Sequence, residues 1–155
     1  MKGNQKVIDF LNLMLADELT AINQYFVHAE MCADWGYEEL KEVIKKRAIT
    51  EMRHAETHIE RILFLEGTPI VSNLNKINIG ANVETQLKND HTAEGIAIKG
   101  YNDGIRLCEE LGDNGTREIF QNILVDEEAH IDWIEAQLDQ ISQMGIQLYL
   151  SEQTG

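Results

Sequence analysis

At 155 residues the chain has the length of one domain, enough to bury about two-thirds of its unfolded surface. Its 27 acidic against 13 basic side chains give a formal charge of −14, which makes nucleic acid and anionic membranes poor partners and cations good ones. No stretch approaches the roughly 18 apolar residues of a membrane span, and Asp9 and Asn12 interrupt the apolar run at the start, so neither a span nor an export signal is expected.

Residues 5–34 place Leu11, Leu15, Glu18, Ile22, Tyr25 and Ala29 at three- and four-residue steps, which predicts a first helix. Glu38 to Glu66 continues the pattern through Leu40, Ile44, Ala48, Glu51, Ala55, Ile59 and Ile62. A third helix is predicted from about Val83 to Leu111 and a fourth from about Gly115 to Met144, with glycines near the edges of these segments. Each would be on the order of 43 Å long at ~1.5 Å per residue. Between the second and third lies Gly67 to Asn82, polar and turn-rich, which reaches ~50 Å when extended. Antiparallel neighbours need only a few linking residues, so this piece reads as a crossover along the bundle that leaves the second and third helices parallel. After Gly145, IQLYLSEQ is a stub helix or a frayed tail, the tail being the default for a terminus. Cys32 and Cys108 form no C-x-x-C and no zinc pattern, which suits reduced, buried thiols of a cytoplasmic protein.

The chemistry sits in a repeat. Glu51-Met52-Arg53-His54 and Glu127-Glu128-Ala129-His130 are both Glu-x-x-His, a spacing that puts carboxylate and imidazole on one helix face. Composition alone would supply about half of one such motif, but the register is specific. Glu51 to Glu127, His54 to His130 and Glu18 to Glu94 are each 76 positions apart, and each of Glu18 and Glu94 lies 33 before its Glu-x-x-His. Tyr25 and Tyr101, Cys32 and Cys108, and Gly36 and Gly112 repeat at the same offset. Folding the first hairpin near Trp35-Gly36 brings Glu18 level with Glu51 and His54. Folding the second near Leu111-Gly112 does the same for Glu94, Glu127 and His130. Each group then lies ~25 Å from its turn, near mid-bundle.

Four inward carboxylates without counter-charge must protonate or hold cations. No Lys or Arg repeats on that face. Two divalent ions would balance four carboxylates, and a mixed carboxylate–imidazole set suits iron or manganese better than calcium or structural zinc.

The set Glu18, Glu51-x-x-His54, Glu94 and Glu127-x-x-His130 resembles the di-iron carboxylate bundles of the ferritin-like group, a ligand pattern already general for such bundles. Length, the lack of a C-x-x-C tail, the short fifth segment and Met52 make the chain similar, end to end, to the bacterioferritins. That resemblance implies an all-α, ferritin-like four-helix bundle with a long crossover between helices 2 and 3 and a short fifth C-terminal helix, one domain over residues 1–155. It implies Glu18 and Glu94 as terminal ligands, Glu51 and Glu127 as bridging ligands, and His54 and His130 as ligands to one iron each. It further implies a cytoplasmic ferroxidase that oxidises Fe(II) with oxygen or hydrogen peroxide. The product would be stored as ferric mineral in a hollow twenty-four-subunit homo-oligomer built from two-fold dimers. A small ferredoxin is the implied partner for iron release.

Taken alone, Met52 in a helix is most often core filler, yet it sits one residue, ~100°, off the Glu51/His54 face. The resemblance makes it the ligand of haem b, one haem per subunit pair with Met52 from each chain, and Trp35, Ile22 and Phe26 could line that pocket. Tyr25, two turns after Glu18 on the same face, suits a core tyrosine bonded to a ligand carboxylate; the resemblance adds electron donation. His28, His58 and His91 have no spacing argument and read as surface or satisfied core residues. Lys46 and Thr50 stand where some bacterioferritins carry an inner-surface histidine and aspartate, so such a relay iron has no ligands here, and the resemblance to other relatives implies instead a His130 that swings to pass iron inward. Asp34, Glu66, Asp132 and Asp139 resemble an acidic channel lining. The alternative is a small rubrerythrin-like di-iron peroxidase without a storage shell. A non-catalytic, miniature-ferritin-like protective shell is disfavoured, because one chain carries a full ligand set.

Overall fold

The computed structural model describes residues 1–155 as five helices: α1 (Gln5–Asp34), α2 (Glu38–Phe64), α3 (Val83–Glu110), α4 (Asn114–Met144) and α5 (Ile146–Ser151). The first four match the predicted segments within three residues at each end. None is long and apolar enough to cross a membrane.

The helix ends follow local chemistry. The side chains of Asn4, Asn82 and Asp113 accept from the amides of Lys6, Thr85 and Thr116, satisfying first-turn donors of α1, α3 and α4. Helix α2 has no side-chain cap and instead carries Glu38 and Glu39 in its first turn, where carboxylates suit the helix dipole. Both hairpins turn on the same motif. Gly36 (φ 86°) and Gly112 (φ 73°) adopt the left-handed conformation. The next amides, of Tyr37 and Asp113, bond back to Cys32 O at 2.8 Å and Cys108 O at 2.9 Å. The repeated Cys and Gly positions are thus two copies of one hairpin corner.

The crossover carries no regular structure, and its backbone is tied to α1 along nearly the whole helix. Ile70 N donates to Asn12 Oδ1, Asn75 N to Thr20 Oγ1, Asn78 N to Gln24 Oε1, and Gly80 N to His28 Nε2, at 2.8 to 3.1 Å. Those α1 residues lie four or eight apart, a polar rail on one face. Because the crossover climbs this rail from one end of α1 to the other, α2 and α3 run parallel, as the loop length predicts. The tail default for the last segment is overturned. Tyr149 of α5 is fully buried against the core and donates to Gln137 Oε1 at 2.7 Å, which anchors the short helix.

The apolar core falls into two clusters. One gathers Leu11, Leu15, Ile62, Tyr101, Phe120 and Ile123; the other gathers Ala29, Leu40, Ile44, Leu87, Ile134 and Tyr149. Between them, at mid-bundle, lies a layer of buried charge.

Candidate metal centre

That layer is the repeated ligand set. Glu18, Glu51, His54, Glu94, Glu127 and His130 are at most 5% exposed, although each is a residue type that avoids burial unless compensated. They come from all four long helices and form two overlapping groups: Glu18, Glu51, His54 and Glu127, and Glu51, Glu94, Glu127 and His130. In each group one ligand atom per residue lies within 4.8 Å of the others. Glu51 and Glu127 belong to both groups, Glu18 and Glu94 to one each. His54 Nδ1 stands 3.2 Å from Glu51 Oε2, 3.1 Å from Glu127 Oε1 and 3.6 Å from Glu18 Oε2. His130 Nδ1 stands 3.0 Å from Glu51 Oε1 and 3.5 Å from Glu94 Oε1. The two rings are near parallel, 6.5 Å apart.

Whether a cation fits is answered by the atoms left over. Glu18 Oε2, Glu51 Oε1, Glu94 Oε2, Glu127 Oε1 and His130 Nδ1 are all buried and make no hydrogen bond. Glu51 Oε1 and His130 Nδ1 are 3.0 Å apart yet not aligned to bond each other. Five orphaned donor-set atoms aimed into one volume cost several kcal/mol between them at about 1–3 kcal/mol each, and metal ions would satisfy them all. Without metal, the charge is relieved by protons. Burial first, then the Glu18 and Glu127 charges, push Glu51 well above the usual carboxylate range. Burial and the adjoining Glu127 carboxylate do the same to Glu94. His54 is pushed up to about 10, because the adjoining Glu127, Glu18 and Asp126 carboxylates outweigh its burial. Metal binding would therefore release protons.

Arg47 is a base near the centre that the 76-residue repeat does not mark. It packs beside Tyr25 and Trp133 and feels the charge of Glu94 and Glu51, but it forms no ion pair with any of the ligand set. A cavity of about 300 Å³ lies against the centre, bounded by Asp17, Glu18, Tyr25, Glu94 and the crossover residues Asn75 and Asn78. Burial pushes the Asp17 carboxyl there up to about 6.

Other expected residues are placed as follows. Tyr25 is 2% exposed and donates to Glu94 Oε1 at 2.5 Å, the bonding expected of it. Met52 is not core filler: it is 45% exposed on α2, with Trp35 also exposed, while Ile22 and Phe26 are partly buried against the core. Asp34, Glu66, Asp132 and Asp139 are exposed. His91 is partly exposed, with Glu135 at 3.7 Å.

Sequence reasoning missed three neighbours of the centre. The Tyr101 hydroxyl donates to Glu18 Oε1. His58 lies 2.8 Å from that hydroxyl and stacks on the Tyr101 ring. Asp126 Oδ2 lies 2.8 Å from His54 Nε2. For Tyr101 the signal was present, because it is the 76-offset partner of Tyr25. His58 and Asp126 have no counterpart of their own type, so the repeat did not mark them.

Residues 8–144 match the family model of the ferritin-like domain. The chain is 40% identical to the bacterioferritin of Brucella melitensis over 149 residues, 96% of this chain and 92% of that protein. It is 41% identical to that of Rhodobacter capsulatus over 147 residues, 95% and 91% of the two chains. It is also 41% identical to that of Streptomyces coelicolor over 151 residues, 97% and 90%. With the bundle, the crossover and these relatives in agreement, the chain belongs to the bacterioferritin family of ferritin-like proteins.

Proposed function

We propose that the chain is an iron-storage ferroxidase acting as one ferritin-like domain over residues 1–155. The observation that carries this is the set of five orphaned, buried ligand atoms shared by two overlapping groups. Fe(II) is the substrate. Glu18, Glu51, Glu127 and His54 hold one ion, and Glu94, Glu51, Glu127 and His130 hold the other, with Glu51 and Glu127 in the bridging role. Two ferrous ions held together supply the electron pair that takes oxygen and two protons to hydrogen peroxide, or hydrogen peroxide and two protons to water. The chain's own part is to exclude bulk water by burial, to neutralise the ions with four carboxylates, and to fix those carboxylates. Tyr25 holds Glu94 from behind and is placed to give an electron if the oxidant needs one.

The finer reading follows the family. Ferric product would be stored in a shell of twenty-four copies built from two-fold dimers, in the cytoplasm, where Cys32 and Cys108 stay reduced. Met52 fits one half of a shared haem b site, since its soft thioether is exposed on the outer face of α2 and a symmetry-related chain would bring a second. A bound haem would carry single electrons, and a small ferredoxin would supply them for iron release.

Oxygen added to anaerobic Fe(II)-loaded protein should oxidise about two irons per chain quickly. Glu127→Ala removes a ligand of both groups and should slow this beyond the 10–100-fold typical of an outer-shell loss. Glu127→Ala and His130→Ala variants that oxidise iron like wild type would reject the assignment. Sedimentation as a dimer or tetramer would favour the small peroxidase instead. A Met52→Leu variant that keeps its Soret band would rule out Met52 as haem ligand.

A further inference from the structure

Resting on the ferroxidase reading, we propose that the two ion positions are unequal. Asp126, Tyr101 and His58 are the positioning residues that make Glu18–His54 fill before Glu94–His130.

The internal repeat supplies the comparison. Behind His54, the Asp126 carboxylate accepts from Nε2 at 2.8 Å. That keeps a proton on Nε2, so Nδ1 is the nitrogen that releases its proton to an incoming metal, and the carboxylate makes it a better donor. The residue 76 positions before Asp126 is Thr50, so Thr50 stands where His130 would need its carboxylate. The Thr50 hydroxyl instead donates to Lys46 O at 3.1 Å, and the polar contacts of His130, to Glu51, Glu94 and Glu127, all run through Nδ1.

The carboxylates differ in the same direction. Glu18 and Glu94 each receive one tyrosine hydroxyl, from Tyr101 and Tyr25. Behind Tyr101 stands His58, fully buried, with Nε2 2.8 Å from the hydroxyl and no partner at Nδ1. Since the Tyr101 proton is engaged by Glu18, its oxygen accepts from His58 Nε2–H, and Nδ1 keeps only an unfilled lone pair. The chain His58 to Tyr101 to Glu18 is therefore fixed over three buried side chains. The counterpart of His58 is Ile134, which offers Tyr25 no second bond. One position has both its private ligands braced from behind. The other has one brace and a histidine free at its outer nitrogen.

Cobalt(II) titration of metal-free protein, read from ligand-field absorbance with zinc(II) calorimetry alongside, tests this without turnover. Two dications sharing Glu51 and Glu127 repel, so two steps would appear even for equal positions, and the assignment of the steps is what decides. His130→Ala should leave the first step unchanged, and His54→Ala should weaken it by about 10–100-fold. Asp126→Ala and Tyr101→Phe should weaken the first step in the same direction. Asp126→Asn, which keeps an acceptor at Nε2, should recover part of the loss. Thr50→Asp should tighten the second step about tenfold. If His54→Ala and His130→Ala shift the first step alike, or if Asp126→Ala leaves it unmoved in a protein of unchanged helical content, the proposal is wrong. Wild-type protein that binds fewer than two ions per chain would overturn the ferroxidase reading itself.

Discussion

The two ends of the α1/α3 interface are related by the 76-residue repeat, and they are built from opposite materials. At one end His28, Gln24 and Asp90 form a buried polar triad: His28 Nδ1 is 2.9 Å and Gln24 Nε2 2.8 Å from Asp90 Oδ1. Their counterparts at the other end are Gly104, Gly100 and Met14. The polar end carries the crossover, whose amides at Asn78 and Gly80 must bond to something. At the apolar end the crossover bonds only Asn12 on another face of α1, and the glycines let Phe10, Phe120 and Met14 close onto α3. The repeat is kept where the two hairpins meet a shared target, the metal layer. It is lost where the single crossover gives the halves different neighbours.

Removing the polar end should cost most. His28→Leu leaves Gly80 N without an acceptor and strips one of two partners from the buried Asp90, whose carboxyl burial already pushes up. A loss of about 3 kcal/mol is expected from urea unfolding of metal-free protein, with faster proteolysis inside residues 67–82. A loss below about 1 kcal/mol would mean that the crossover is not held at this point.

The apolar end should answer to volume instead. A Cβ at Gly104 would lie 2.6 Å from Phe10 Cε1 and 2.9 Å from Phe120 Cδ2, both rigid rings. Gly104→Ala should cost about 1–3 kcal/mol in the same unfolding measurement. At Gly100 the added Cβ meets the Met14 Cε and Sδ at 2.9 Å, the mobile end of a flexible side chain. There the clash is cheap, and about 1 kcal/mol of helix propensity offsets it, so Gly100→Ala should come out near neutral. Equal losses at the two glycines would show that the rings at Gly104 can give way as Met14 does.

This contrast also explains what the sequence could show. Helices α1 to α4 and the six inward side chains of the candidate centre were legible because periodicity and the 76 offset mark residues that repeat, and the crossover was legible from its length. Glu18, Glu51 and His54 each had a partner to confirm them. The crossover rail, with His28 and Gln24, was not legible, because its logic lies in the amides of a loop whose path is set by the fold. Asp126 and His58 were invisible for another reason: across the repeat they are matched by Thr50 and Ile134. The terminal segment IQLYLSEQ was too short to settle by periodicity. The buried Tyr149 hydroxyl, which needs Gln137 as acceptor, decides it as helix.

A change of pH separates His58 from its apolar counterpart. Burial depresses the His58 pKa to about 4, against about 6.5 when the chain is unfolded. Between those values the unfolded chain takes up a proton that the folded chain refuses, so stability falls as pH drops through this window and is fully present above it. From pH 7 to pH 5.5 the loss attributable to this one group is about 1 kcal/mol. His58→Leu has no such proton to refuse, so the stability of metal-free protein should fall less steeply over that interval, by about this amount. The carboxylates of the centre titrate in both proteins and largely cancel in the difference. Ile134→Val changes the matching position without a titratable group and should leave the wild-type slope intact. Parallel curves for wild type and His58→Leu would mean that His58 takes up its proton in the folded protein as readily as in the unfolded chain, and so is charged at pH 5.5. It would then be a cation facing Glu18 through Tyr101, and the two halves would differ in charge as well as in bracing.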